Sequence, residues 1–139
     1  MSINQFKFEE LKMSQVEKFQ VKINEGMIND FRKISGDVNP LHSDQSFAIS
    51  KGYKDKVVFG MLTSSFYSKL VGVYLPGKFA LLNSVNIDFL KTVYVDDLLT
   101  IEGKIIEIDD RFKSIVIKSK ILRSNELVSR AKIRVSMHE

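Results

Sequence analysis

Asp37 and His42 stand five residues apart in the run Asp37-Val38-Asn39-Pro40-Leu41-His42. A carboxylate and an imidazole aimed at one water molecule can orient it and take its proton, because side chains of these two types titrate at or below neutral pH. Pro40 fixes its own φ and biases Asn39 away from helix, so the run is a stiff loop. Local sequence by itself favours a plainer role, with Asp37 capping a turn and His42 packing near a helix start. A second candidate is Phe59-Gly60-Met61. Glycine at the mouth of an apolar helix lets a ligand approach the backbone closely. The first free N–H groups of that helix, at its positive end, suit a developing oxyanion. Gly60 could equally do no more than relieve packing against a sheet. Ser65, five residues on, reads first as a serine bonded to the helix backbone and second as a donor into a pocket.

The elements that must hold these residues follow from periodicity. Lys18 to Ile23 alternates, with Phe19, Val21 and Ile23 on one side, which predicts a half-buried strand. From Asn24 the period changes: Met27, Ile28, Phe31 and Ile34 share one helix face, with Asn24 as cap and Gly36 as left-handed end. The loop with Asp37 and His42 comes next. Ser43 then caps a short helix through Phe47 and Ala48. A long apolar helix is expected from Phe59-Gly60 to about Tyr74, stopped by Pro76-Gly77 and buried on nearly all sides. The rest reads as strands: Val85 to Phe89, Leu99 to Ile108 with a shift of register near Ile105-Ile106, Ile115 to Ile121, and Leu127 to Met137. Several strands in series with short turns predict an antiparallel sheet. A nearly all-apolar helix needs such a sheet curved around it, which describes an α+β hot-dog architecture. The first fifteen residues are expected to be an extended lead-in.

Composition bounds the chemistry. The chain has 139 residues, enough for a single domain over 1–139 that buries its own core. It has no cysteine, which excludes a disulfide scaffold, a Cys-based zinc site and a thiol nucleophile, and which fits a reducing compartment. Its two histidines, His42 and His138, exclude a multi-histidine metal centre. A net charge of +4 is low for a nucleic-acid binder. The opening MSINQFKFEELKMSQ carries Lys7, Glu9, Glu10 and Lys12 and has no apolar core, so neither a targeting segment nor a membrane association is expected, and a cytoplasmic location is.

The run ISGDVNPLHSDQSFA (34–48), followed by VVFGMLTSSF (57–66), YLPG (74–77) and DFLKTVYVDD (88–97), resembles the MaoC-like, R-specific enoyl-CoA hydratase family over nearly the whole chain. The resemblance implies the hot-dog fold, a homodimer with acyl thioesters bound near its interface, and the interconversion of 2-enoyl and (R)-3-hydroxyacyl thioesters. It makes Asp37 and His42 the catalytic pair and gives Gly60 the oxyanion-hole amide. Ser65 matches a serine lining the site, and Asn39, Phe59 and Met61 join it as expected substrate contacts. The sequence departs from the family in carrying Phe59 before the Gly-Met pair and Asp96-Asp97 where a Gly-Asp turn is usual. No metal or redox cofactor is expected, only coenzyme A or an acyl-carrier protein as carrier of the substrate.

Two other functions compete: a non-catalytic hot-dog domain that binds acyl thioesters or a partner chain, and a thioesterase on the same fold. The intact Asp37 and His42 favour the hydratase, while release of free thiol from an acyl-CoA would mark the thioesterase. Lys118, Lys120, Arg123, Arg130, Lys132 and Arg134 read as the solvated face of strands, or as a surface for coenzyme A phosphates or an acidic carrier protein. Met61, Leu62, Phe66 and Leu70 on the long helix, with Phe59 at its entrance, are expected to limit the acyl tail to about four to six carbons.

Overall fold

The computed structural model describes residues 2–139. Five strands form one antiparallel sheet: β1 (Val16–Lys22), β2 (Ala80–Phe89), β3 (Leu98–Asp109), β4 (Ser114–Arg123) and β5 (Glu126–Met137). Their spatial order is β1-β3-β4-β5-β2, so β1 and β2 are the edges. Three helices interrupt the strands: α1 (Glu25–Ser35), α2 (Gln45–Ser50) and α3 (Gly60–Lys69), the last prolonged by a π turn over Leu70–Tyr74. The sheet curls around α3, which is the hot-dog arrangement that the alternating strands and the single apolar helix called for.

The inner face of the sheet supplies Leu99, Ile101, Ile105, Ile115, Ile117, Ile121, Ile133 and Val135, all buried. Leu62, Phe66, Tyr67, Leu70 and Val71 meet them from the helix side. Gly103 makes the closest approach possible. A Cβ there would lie 2.6 Å from Leu70 Cδ2 and 3.0 Å from Ile117 Cγ2, so only a glycine leaves room for the end of the helix against β3. The register shift expected near Ile105-Ile106 is present, between Ile105 and Glu107.

Three expectations change. The long helix is not buried all round: Met61, Ser65, Ser68 and Gly72 form an exposed stripe, because a curved sheet covers only one side of a cylinder. The short helix is capped by Asp44 in place of Ser43, the Asp44 carboxylate accepting from Phe47 N–H at 3.1 Å. The lead-in is not merely extended, since Phe8–Glu10 form a 3-10 turn and Phe8 and Leu11 are buried in the core.

The outer face is polar and organised in rows. Lys104, Lys118 and Lys132 stand directly opposite one another across β3, β4 and β5, with Val16 and Asn86 at the ends of the row. The next row runs Glu102, Lys120, Arg130 and Asp88, two bases side by side with a carboxylate at each end. In it Lys120 pairs with Glu102 at 3.6 Å and Arg130 with Asp88 at 2.9 Å. Arg123 differs from the other bases of these strands. It donates to the Thr92 carbonyl and to Asp97, both at 2.8 Å, and also pairs with Glu126. Its guanidinium is held above its ordinary pKa, first by the hydrogen bond to Asp97 and then by the one to Glu126.

Candidate active site

The loop between α1 and α2 is stiffened by hydrogen bonds of its own. Gly36 closes α1 in the left-handed conformation, with φ of 71°. The Asp37 carboxylate then accepts from Asn39 N–H at 3.0 Å, and Asn39 Oδ1 accepts from Leu41 N–H at 2.9 Å. Pro40–His42 complete a 3-10 turn, on which Arg32 Nη2 donates to the His42 carbonyl at 3.4 Å.

His42 is oriented by the segment that leads into α3. Val57 N–H donates to the Leu41 carbonyl at 3.0 Å, and His42 Nδ1 lies 2.7 Å from the Val57 carbonyl. A carbonyl can only accept, so Nδ1 carries a proton and donates it. In the neutral ring Nε2 is therefore the basic nitrogen. The imidazole rests on Phe59, ring centroids 4.1 Å apart, and Phe59 packs in turn on Phe31 at 4.9 Å. Phe59, expected to touch substrate, is thus a buried support that contributes one wall. Val58 N–H donates to the Val93 carbonyl at 2.8 Å, tying the same segment to the turn that follows β2.

At the head of α3 the N–H groups of Leu62 and Thr63 donate to the Phe59 carbonyl at 3.1 and 3.2 Å, which leaves those of Gly60 and Met61 as the free donors of the first turn. Thr63 Oγ1 and Ser64 Oγ donate to the Gly60 carbonyl at 2.7 and 3.0 Å, which fixes the orientation of that peptide. Asp37, His42, Phe59, Gly60 and Met61 line one hollow of about 340 Å³. His42 and Gly60 also line an adjoining cleft of about 300 Å³ that includes Thr63, Phe89, Lys91 and Ser129. Of the seven site residues expected from sequence, five are therefore brought together. Asn39 braces the loop and lines neither space. Ser65 lies on the exposed stripe of α3 with its hydroxyl donated to the Leu62 carbonyl at 2.6 Å, which is the backbone-bonded reading of this serine.

Sequence reasoning passed over Phe89, Lys91, Thr63 and Ser129. In the sequence Phe89 and Ser129 are only strand positions, and nothing in the period of a strand marks which of its residues ends beside a loop. Ser129 Oγ lies 2.8 Å from Tyr67 Oη, both buried beneath the cleft. Burial pushes the Tyr67 phenol up to about 12, and the Ser129 hydrogen bond opposes part of that rise. Among the described residues no group of three or more His, Cys, Asp or Glu side chains is placed to hold a metal ion. No helix among them is long and apolar enough to cross a membrane.

A family model described as MaoC like domain matches residues 7–126. An (R)-specific enoyl-CoA hydratase of Aeromonas caviae is 32% identical over 95 residues, which are 68% of this chain and 71% of that protein. A 3-hydroxybutyryl-CoA dehydratase of Methylorubrum extorquens is 27% identical over 101 residues, 73% of this chain and 64% of that protein, so less than two thirds of this second relative is spanned. The solved structure of an (R)-hydratase from A. caviae involved in PHA biosynthesis superposes with a TM-score of 0.88 at 25% identity, covering 93% of this chain and 98% of that one.

Proposed function

The chain belongs to the MaoC-like domain family, and from that premise we propose that it interconverts trans-2-enoyl thioesters and (R)-3-hydroxyacyl thioesters by adding or removing water. The observation that carries the reading is the single hollow in which Asp37, the imidazole of His42 and the head of α3 at Gly60 come together. Hydration places hydroxyl on C3 and a proton on C2, and negative charge gathers on the thioester oxygen on the way. The Gly60 N–H and the positive end of α3 stabilise that oxygen, a donor of this kind contributing about 3 kcal/mol. With Nδ1 held by Val57, His42 presents Nε2 to the water or to carbon. Asp37 keeps one oxygen on Asn39 N–H and has the other for the water. The two side chains take one proton and return one. Because side chains and an amide supply every step, no metal or redox cofactor enters, and the substrate carrier is coenzyme A or an acyl-carrier protein.

The working unit is a homodimer. The exposed stripe of α3 and the free edge of β2, with Leu81, Leu82, Phe89 and Leu90 exposed, lie open in the single chain. A second copy would cover them and close the hollow at Met61.

The test is crotonyl-CoA hydration, followed by loss of the enoyl absorbance and by product chirality. Asp37→Asn and His42→Ala should each lower turnover ~100-fold or more while the far-UV spectrum stays that of the wild type. Near-normal turnover in both variants would remove the catalytic assignment. Release of free thiol without hydration would make the protein a thioesterase.

A further inference from the structure

The turn 92–97 between β2 and β3 hangs on one guanidinium. Arg123, the last residue of β4, donates through Nη1 to the Thr92 carbonyl and to Asp97 Oδ2, both at 2.8 Å. The same Asp97 oxygen accepts from Tyr94 N–H at 2.9 Å, so one half-buried carboxylate closes the turn and Arg123 fastens it to β4. The turn has need of such a clamp. Asp96 stands in it with φ of 73°, in the left-handed region, at the position where the family resemblance puts glycine. A residue with a Cβ is strained there and glycine is not.

From this turn to the imidazole the path is a single peptide unit. The Val93 carbonyl accepts from Val58 N–H at 2.8 Å, and the carbonyl of that same peptide, on Val57, holds His42 Nδ1 at 2.7 Å. A peptide is planar, with its N–H and C=O pointing opposite ways, so turning one end turns the other. A hydrogen bond to the N–H also polarises the C=O beyond it. The direction and strength of the acceptor that fixes the His42 tautomer are thus set by where Val93 stands. Val93 stands where the clamped turn puts it. Resting on the hydration reading above, we propose that Arg123 is a positioning residue for His42. Through Asp97, the turn 92–97 and the 57–58 peptide, it keeps Nδ1 as the donor and Nε2 bare toward the water, without touching substrate. Glu126, the third partner of the guanidinium, is exposed and lies outside this path.

The test compares wild type, Arg123→Ala, Arg123→Lys and Glu126→Gln by crotonyl-CoA hydration and by the nitrogen resonances of the imidazole rings. The chain has only two histidines, and His138→Gln tells them apart. In the wild type His42 should show a protonated Nδ1 and a bare Nε2. Arg123→Ala should let the two tautomers mix, which draws the two resonances together, and should lower kcat about 10-fold. Guanidinium chloride far below denaturing concentration should restore both readings by filling the vacated place, whereas a variant that is merely less stable would be weakened further by that ion. Arg123→Lys keeps a charge for Asp97 and loses the fork, so it should mix the tautomers in part and lower kcat about threefold. Glu126→Gln should match the wild type in both. Wild-type ring resonances in folded Arg123→Ala, mixing that guanidinium does not reverse, or equal mixing in Glu126→Gln would overturn the positioning role. Should Arg123→Ala not fold, Arg123→Lys decides by the same spectrum, with unmixed tautomers counting against the role. Failure of the wild type to hydrate crotonyl-CoA would overturn the hydratase reading instead, and the ring spectra would still decide whether Arg123 holds His42.

Discussion

The pair Asp37 and His42 was legible as residues, but the setting that gives each a role was not. The nitrogen of His42 that faces substrate is decided by the Val57 carbonyl, fifteen residues away, and a backbone acceptor leaves no mark in a sequence. Phe59 is a similar case. Its place before the glycine marks it as a pocket residue, and the fold makes it both a wall of the hollow and a shelf between Phe31 and the imidazole, of which only the first could be read from sequence. Phe59→Ala should therefore cost stability, about 3 to 5 kcal/mol by urea unfolding, in addition to any effect on turnover. A loss below about 1 kcal/mol would show that the ring is not the support described. Tyr67 gives a dependence on pH. Its phenol ionises near 10 in the unfolded chain and at about 12 in the fold. Above pH 10 the unfolded chain sheds a proton that the folded chain keeps, so this part of the stability is whole below pH 10 and is lost as pH rises toward 12. Between pH 9 and 11 the wild type should lose about 1 kcal/mol more than Tyr67→Phe in urea titrations. Parallel curves for the two proteins would rule out the buried phenol as the cause.

Among the elements, α1 and the strands were the most legible. Asn24 caps α1 through a 2.9 Å bond to Met27 N–H and Gly36 ends it, as spacing alone indicated. Alternation gave the four later strands and the bulge in β3, because one face of each is core and the other is solvent. What alternation could not give was Gly103, which sits in β3 as an unremarkable position until Leu70 is laid against it. Gly103→Ala would press a methyl into Leu70 and Ile117, both buried with little freedom to move. It should destabilise by about 1 to 3 kcal/mol, seen as a lower urea midpoint with an unchanged slope. An unchanged midpoint would mean that α3 can slide on the sheet. The same burial revises the argument for short acyl chains. Leu62, Phe66 and Leu70 face the sheet, which leaves Met61, with Phe31 and Phe89, as the bulk that an acyl tail in the hollow would meet.

At the scale of the whole molecule the hot-dog wrap was predictable, and the uncovered stripe on α3 was not, because its polar residues look like ordinary helix surface in a sequence. Sedimentation at micromolar concentration should give about twice the 15.9 kDa of one chain. Leu82→Lys, on the β2 edge, should shift the population toward monomer and lower turnover with it. A wild-type monomer that hydrates crotonyl-CoA would end the dimer proposal. The row of Lys104, Lys118 and Lys132 has a consequence of another kind. Ammonium groups on neighbouring strands repel, and no carboxylate stands among them to cancel their field. Chloride or phosphate from the buffer will condense there. The protein should therefore melt higher as ionic strength rises from about 10 to 150 mM, opposite to a fold held by surface ion pairs. It should also cling to a sulfonate resin more strongly than a net charge of +4 spread evenly would explain. Lys118→Glu, by breaking the row at its centre, should elute early and lose most of that salt response.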